Sequence, residues 1–297
     1  TEEGVPHVVE NDYSPLSEIE LSLLNTNLNT INFTLFTRTN GPDGQLLVLN
    51  DVNSVKDSDW DPSRRTLIVT HGWTSAGNTP SCTLVRDAYL KVMDCNVIIV
   101  DWSVIASNVL YTIAAKSVPT VAEYVASFVN FMRAEAGLET SSMKFIGHSL
   151  GAHVASLSAM TVNKSSPVPE VVALDPAKPM FQGNGPDGRV DRTHAQNVQV
   201  IHTCAGLLGM TISVGTSDFF ANGGRRQPGC SLDVLGSCAH GRSYRYYSES
   251  ITNPTGFPGT PEGCGTKAYM GGPVPDPRAQ GTYEIKTRSE PPYALAG

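Results

Sequence analysis

The chain has 297 residues, with 21 basic against 28 acidic side chains, a net charge of -7 and a pI near 5.5. That acidity argues against a nucleic-acid binder, whose footprint is basic. With 40% hydrophobic and only 16% charged residues the chain is globular rather than disordered, and no uncharged apolar run reaches the ~18 residues of a membrane span.

Residues 1–30 are polar and irregular. Short apolar, β-branched runs then recur at 66–70, 96–100, 143–146, 171–174 and 198–201. Runs without polar alternation are expected of strands buried on both faces of a mostly parallel sheet. Between them lie helical patterns. One runs from Pro119 to Gly137, with Val121, Val125, Phe128 and Met132 on one stripe. A second is expected from Leu150 to about Val162. Strands alternating with helices predict an α/β fold. The last 45 residues, rich in Gly and Pro, read as surface loops too short for a second domain, so residues 1–297 read as a single domain.

The six cysteines form no CxxC pair, which disfavours a structural zinc site. An even count at wide spacing suits three disulfides in a secreted protein; the alternative is a set of buried thiols in a cytosolic enzyme. Two N-x-S/T triplets, at Asn32 and Asn163, are glycosylation candidates that point the same way. The opening at Thr1, without Met or apolar leader, reads as a mature extracellular chain.

Gly147-His148-Ser149-Leu150-Gly151 matches G-x-S-x-G between an expected strand and an expected helix. That context is a nucleophile elbow: the turn is tight enough to demand small residues two positions either side of the serine, and it exposes the hydroxyl at a helix N-terminus. The alternative is an ordinary turn with a capping serine. Serine needs a neighbouring base, and the chain order Ser, acid, His sets aside His7, His71, His148 and His153. Of the rest, His202 lies inside a strand and reads as structural, and His194 lies in a polar stretch that looks like an exposed loop. His240 follows Cys238 on a loop a disulfide could anchor, and is the preferred base. Asp175 ends the run 171–174 at the carboxyl edge of the sheet and is the preferred acid, holding the imidazole tautomer. Asp101 precedes the serine and reads as a loop cap. The oxyanion requires two fixed N–H groups, expected from Leu150 and from Trp73 in the turn Thr70-His71-Gly72-Trp73.

With these residues in hand, the sequence resembles the pancreatic lipase family of secreted α/β-hydrolases. The matching stretches are THGW at 70–73, VDW at 100–102, FIGHSLGAHVAS at 145–156, LDPAKPMF at 174–181, VIHT at 200–203, DFFANGGRRQPGC at 218–230 and SCAHGRSYRYYSES at 237–250. The resemblance implies an α/β-hydrolase fold, the triad Ser149, Asp175 and His240, and oxyanion donors Trp73 and Leu150. It implies no cofactor. The expected disulfides are Cys82–Cys95, which flank a short helix, Cys230–Cys238, and Cys204–Cys264.

Two departures bear on substrate. The family's lid is a disulfide-closed loop before the histidine, and here Cys230 and Cys238 enclose only Ser231 to Ser237. The loop between Thr203 and Asp218 is also short. Short versions resemble the phospholipase A1 members, including those of wasp venom, and would admit a bulky polar head group. No counterpart is expected of the family's C-terminal β-sandwich, which binds colipase in vertebrate pancreatic members, so that the chain resembles insect-type single-domain members. No colipase is therefore expected as a partner, and a monomer acting on lipid is. In the segment of the family's calcium site only Arg189 and Asp191 match, with Pro186 and His194 where carboxylates would stand, so no metal is expected. Leu207, Leu208, Met210 and Ile212, with Leu232, Val234 and Leu235, are candidates for lipid contact; the alternative is a loop packed on the core. The reading of another class is a yolk storage or lipid-binding protein, recognised in this family by a missing triad residue, and here all three are present.

Overall fold

The computed structural model describes residues 12–295; Thr1, His7 and the rest of 1–11 lie outside them, as do 296–297. One sheet of eleven strands spans the described chain. Its strands are β1 (Asn32–Phe36), β2 (Gln45–Leu47), β3 (Arg65–Thr70), β4 (Cys95–Asp101), β5 (Met143–His148), β6 (Glu170–Leu174), β7 (Asn197–His202), β8 (Ser217–Ala221), β9 (Pro258–Pro261), β10 (Ala268–Tyr269) and β11 (Gly281–Ile285). Their spatial order is β10-β9-β11-β8-β7-β6-β5-β3-β4-β1-β2. From β4 to β11 the neighbours run parallel, and the edges are antiparallel.

The central strands lack polar alternation because both of their faces are covered. Successive side chains of a strand point to opposite faces. In β3, Ile68 joins one core and Leu67 and Val69 the other; in β4, Ile98 and Val100 go one way and Val97 and Ile99 the other. Helices α1 (Glu18–Asn27), α2 (Val52–Lys56), α3 (Pro80–Val92), α4 (Ser103–Ala106), α5 (Tyr111–Ala136), α6 (Leu150–Asn163) and α7 (Ser237–Thr252) complete the fold. The stripes of α5 and α6 build the first core, those of α3 and α7 the second. This is an α/β-hydrolase fold.

Strands β3 and β4 step to one side while β5 through β8 step to the other, so the winding reverses between β3 and β5. Open parallel sheets bind ligands outside the carboxyl ends of their strands at such a switch point. The loop after β3 begins at His71, and the turn after β5 holds Ser149.

Several expectations need correction. Helix α5 starts at Tyr111, with Pro119 inside it, because burial of Tyr111, Ala114, Ala115 and Val118 outweighs the hydrogen bond a proline cannot donate. The tail is not only loops: β9, β10 and β11 extend the sheet, and β11 lies parallel to β8. Of the expected disulfides, Cys230–Cys238 is formed. Cys95 is a free thiol, so the Cys82–Cys95 bridge is not formed. Cys82 lies in the first turn of α3 and Cys95 beyond its far end; at about 1.5 Å per residue the helix holds them on the order of 15 Å apart, twice the reach of a disulfide. Cys204 and Cys264 are also free thiols. Cys204 follows β7 at the carboxyl edge, whereas Cys264 follows β9, whose antiparallel course ends at the amino edge. Burial pushes the Cys95 and Cys204 thiols up to about 12, so both are inert.

Candidate active site

Ser149 occupies the sharp turn between β5 and α6 at φ 57°, in the left-handed region. Such strain costs on the order of 1–3 kcal/mol and persists only where the surroundings impose it. Here they do. A side-chain carbon at Gly147 would come within 2.0 Å of the Gly151 carbonyl oxygen, and one at Gly151 within 2.3 Å of the His71 carbonyl oxygen. The small residues either side of the serine are thus demanded by contact. The Ser149 N–H donates to the Leu174 carbonyl at 3.0 Å, and the Ser149 carbonyl accepts from Ala177 N–H at 3.2 Å, so the elbow is laced to the end of β6.

That strand end carries Asp175, also at positive φ (43°) and fully buried. Its Oδ1 accepts from the N–H groups of Thr203 (2.8 Å) and Cys204 (3.0 Å). Its Oδ2 accepts from His240 Nδ1 at 2.5 Å. With both oxygens engaged the carboxylate cannot turn, so it fixes the imidazole with Nε2 outward. His240 lies in the first turn of α7, not on a loop as expected, and Cys230–Cys238 anchors the chain just before it. Burial, and then the adjacent His148 ring, hold the His240 imidazole below its ordinary value, against the opposing pull of Asp175. The imidazole is therefore neutral, and able to take a proton, at neutral pH. Among the described residues no hydrogen bond joins the Ser149 hydroxyl to His240; such bonds are often long until substrate tightens them.

The loop after β3 closes the other side. A side-chain carbon on Gly72 would lie 2.7 Å from Ser149 Cβ and 3.3 Å from its Oγ, so this loop reaches the serine only because residue 72 has no side chain. Trp73 follows directly, its indole N–H donating to the Asn108 carbonyl at 2.8 Å and its ring edge-on to Tyr111. Leu150 is buried at the first position of α6.

Other expectations fall into place around this centre. Asp101 caps the following turn, accepting from Ser103 N–H at 2.9 Å. His202 is structural, held between Asp218 (2.8 Å) and the Met210 carbonyl (3.2 Å). His194 is not on an exposed loop: it is buried, with Nδ1 2.8 Å from Ser156 Oγ. Leu232, Val234, Leu235, Leu207 and Ile212 are exposed, Leu232 at 92% and Val234 at 83%, whereas Leu208 is half-buried and Met210 fully buried. Met210 therefore belongs to the core. Asn32 is exposed at the start of β1; the half-buried Asn163 side chain accepts from Val168 N–H at 3.0 Å.

Residue patterns missed three supports. The first is the pair of backbone N–H groups on Asp175, which have no side-chain signature. The second is His148, set aside by chain order; it donates from Nε2 to the His240 carbonyl at 3.3 Å, with ring centroids 4.3 Å apart. The third is a brace under the Gly72 turn. There His71 Nδ1 donates to the Gly72 carbonyl (2.9 Å), and Trp102 donates to His71 from its backbone N–H (3.1 Å) and its indole (2.9 Å). The only signal for that brace was the Asp101-Trp102 pair at a strand end.

No helix among the described residues is long and apolar enough to cross a membrane. The chain is 35% identical to the pancreatic triacylglycerol lipase of Mus musculus over 249 residues, covering 76% of this chain and 53% of that protein. It is 34% identical to the Homo sapiens counterpart over 276 residues, covering 85% and 58%. To pancreatic lipase-related protein 2 of Cavia porcellus it is 35% identical over 235 residues, covering 77% and 53%. It thus spans little more than half the length of these relatives. The family model described as Lipase matches residues 10–269, and with the geometry above this places the chain in the pancreatic lipase family.

Proposed function

We propose that this chain is a secreted lipid carboxylic-ester hydrolase that forms an acyl-enzyme on Ser149 and releases the sn-1 chain of a phospholipid. The observation that carries the hydrolase reading is the 2.5 Å bond from His240 to a doubly anchored Asp175, beside a serine held at φ 57°. In the mechanism His240 Nε2 takes the Ser149 proton as Oγ attacks the ester carbonyl carbon. The oxyanion is held by the N–H groups of Trp73 and Leu150, the latter at the positive end of α6. His240 then gives its proton to the leaving alcohol oxygen. Water, deprotonated by the same nitrogen, attacks the acyl carbon and frees the fatty acid and Ser149.

The phospholipid reading is supported by the shortness of the seven-residue lid, in which Leu232 and Val234 are exposed. We read these side chains, with Leu207 and Leu235, as contacts to the lipid surface. Secretion is supported by the Cys230–Cys238 disulfide and the two sequons. A single catalytic domain is supported by a sheet drawing strands from Asn32 through Ile285. A second reading, hydrolysis of triacylglycerol, is favoured by the names of the relatives.

The test is hydrolysis of phosphatidylcholine labelled separately at sn-1 and sn-2, beside a long-chain triacylglycerol, with Ser149→Ala as blank. Release from sn-1 alone is expected. Cleavage of triacylglycerol without phospholipid would replace the phospholipid reading with the second one. Inactivity on both, and on a short soluble ester, would discard the hydrolase reading.

A further inference from the structure

Beside the triad lies a cavity of 490 Å³ whose inner wall is formed by residues adjoining the catalytic groups: Cys204, whose N–H donates to Asp175, and Ala239, which precedes His240. Its outer wall includes the lid loop. Two adjacent arginines, Arg225 and Arg226, line it. The Gly223-Gly224 turn, with both residues at positive φ, brings them there; its Gly224 carbonyl accepts from Ala205 N–H at 2.6 Å. The Arg225 guanidinium reaches Gly206, where a side-chain carbon would lie 3.4 Å from its Nη2. Lys178 Nζ donates to the carbonyl of the same Gly206 at 3.0 Å.

Among the described residues neither arginine makes a hydrogen bond or ion pair, although the chain carries seven more acidic than basic groups. One carboxylate, Asp233, lines the same cavity. It accepts from the N–H groups of Cys238 (3.1 Å) and Ala239 (2.7 Å) at the start of α7, which holds it in place without an arginine partner. Two guanidinium forks and one fixed carboxylate, beside an ester-cleaving centre, match the charges of a phosphodiester and an ammonium.

We infer that this cavity is a head-group subsite: Arg225 and Arg226 take the phosphate of a zwitterionic phospholipid, and Asp233 takes its ammonium. Arginine forks suit phosphate because they offer paired, planar donors. Neutral glycerides leave the arginines unoccupied, so the subsite selects phospholipid over di- and triacylglycerol. The inference rests on the phospholipid reading above and deepens it.

The experiment compares kcat/KM on monomeric dihexanoyl phosphatidylcholine, dihexanoyl phosphatidylglycerol and dihexanoylglycerol. The proteins are wild type, Arg225→Ala/Arg226→Ala, Arg225→Lys/Arg226→Lys and Asp233→Asn, each with its melting temperature recorded. The double alanine variant should lose about 10- to 100-fold in the ratio of phosphatidylcholine to diacylglycerol, the lysine variant less. Asp233→Asn should shift preference several-fold from phosphatidylcholine toward phosphatidylglycerol. A phosphatidylcholine-to-diacylglycerol ratio within twofold of wild type in the alanine variant overturns the proposal, as does an Asp233→Asn protein with unshifted preference.

Glycerophosphocholine and inorganic phosphate, titrated calorimetrically into Ser149→Ala protein, separate a lipid head group from a free anion. Arginine-dependent binding of glycerophosphocholine supports the subsite. Arginine-dependent binding of phosphate alone overturns it in favour of a simple anion site. If wild type cleaves none of the esters, the hydrolase reading fails, and the titration still decides the subsite.

Discussion

Two buried histidine–aspartate pairs sit side by side in this sheet, built from the same parts and put to different ends. His202 on β7 faces Asp218 on β8 at 2.8 Å; Asp218 also accepts from the N–H groups of Val214 (3.1 Å) and Gly215 (2.9 Å), much as Asp175 accepts from Thr203 and Cys204. In the first pair, however, the second ring nitrogen is used up by the Met210 carbonyl, and Phe220 stacks on the ring at 4.0 Å. In the second pair Nε2 of His240 has no partner among the described residues and is left for a hydroxyl. Strain also separates the two: Asp218 lies in a regular strand, whereas Asp175 and Ser149 are held at positive φ. A histidine–aspartate pair is structural when every polar atom is satisfied from within. It becomes chemical when one nitrogen is kept back and the backbone around it is held against its preference.

The largest effect should separate the pairs directly. Ser149→Ala should cost about 10⁴ to 10⁶ in kcat, and Asp175→Asn about 10⁴ by admitting the wrong tautomer. The matching change Asp218→Asn should leave kcat within a few-fold and instead lower stability by about 1–3 kcal/mol, since the N–H groups of Val214 and Gly215 lose a charged acceptor. Steady-state kinetics alongside thermal melts checks this, and a 10⁴ loss of kcat in Asp218→Asn would break the comparison.

The next effect is on pH. In the proposed mechanism His240 takes the serine proton only when neutral, and burial lowers its proton affinity, so kcat/KM should be flat above its ordinary value of 6.5 and fall only at lower pH. An acid limb centred above 6.5 would contradict the environment described here. Stability should fall over a similar range for a different reason. His153 is buried, with Nε2 donating to the Ala177 carbonyl at 2.8 Å, and burial pushes it down to about 3. Between pH 6.5 and 3 the unfolded chain therefore binds a proton that the folded chain refuses. Unfolding free energy is full above 6.5 and declines as pH drops through that window. Denaturant melts at stepped pH measure the slope, which His153→Gln should flatten.

Smaller effects test what surrounds the active pair. Removing Cys230–Cys238 as a double serine variant should cost about 2.5 kcal/mol, the closure entropy of so short a loop. It should also raise KM, because the loop precedes His240. Leu232→Ser/Val234→Ser should reduce hydrolysis of micellar substrate several-fold relative to a soluble ester. Equal loss on both would mean that the exposed side chains do not touch lipid.

Much of this was legible in the residues. The five central strands could be read because parallel strands buried on both faces appear as unbroken apolar runs, and each was located to within two residues at either end. The elbow could be read because its turn excludes side chains at Gly147 and Gly151. The strands β1, β2, β8, β9, β10 and β11 escaped notice because they are short and mix polar with apolar residues, so that none reads as an unbroken apolar run. His194 looked exposed because its neighbours Asp191, Arg192 and Thr193 are polar; only packing against α6 buries it. The bridges expected for Cys82 and Cys204 failed because proximity in sequence, or a shared loop-rich context, says nothing about which edge of a sheet a residue occupies.

By itself, then, the sequence determined the local matters: strand and helix periodicity, the small residues of the elbow, and the order of serine, acid and base. These are dictated by sterics and hydrophobic pattern over a few residues, which neighbours along the chain suffice to specify. Only the tertiary structure decided which of two histidine–aspartate pairs keeps a free nitrogen, which cysteines lie within a bond of each other, and that two arginines and an aspartate share a cavity beside the triad. Each of those depends on distances across the sheet, set when the two cores close and not by any stretch of chain alone.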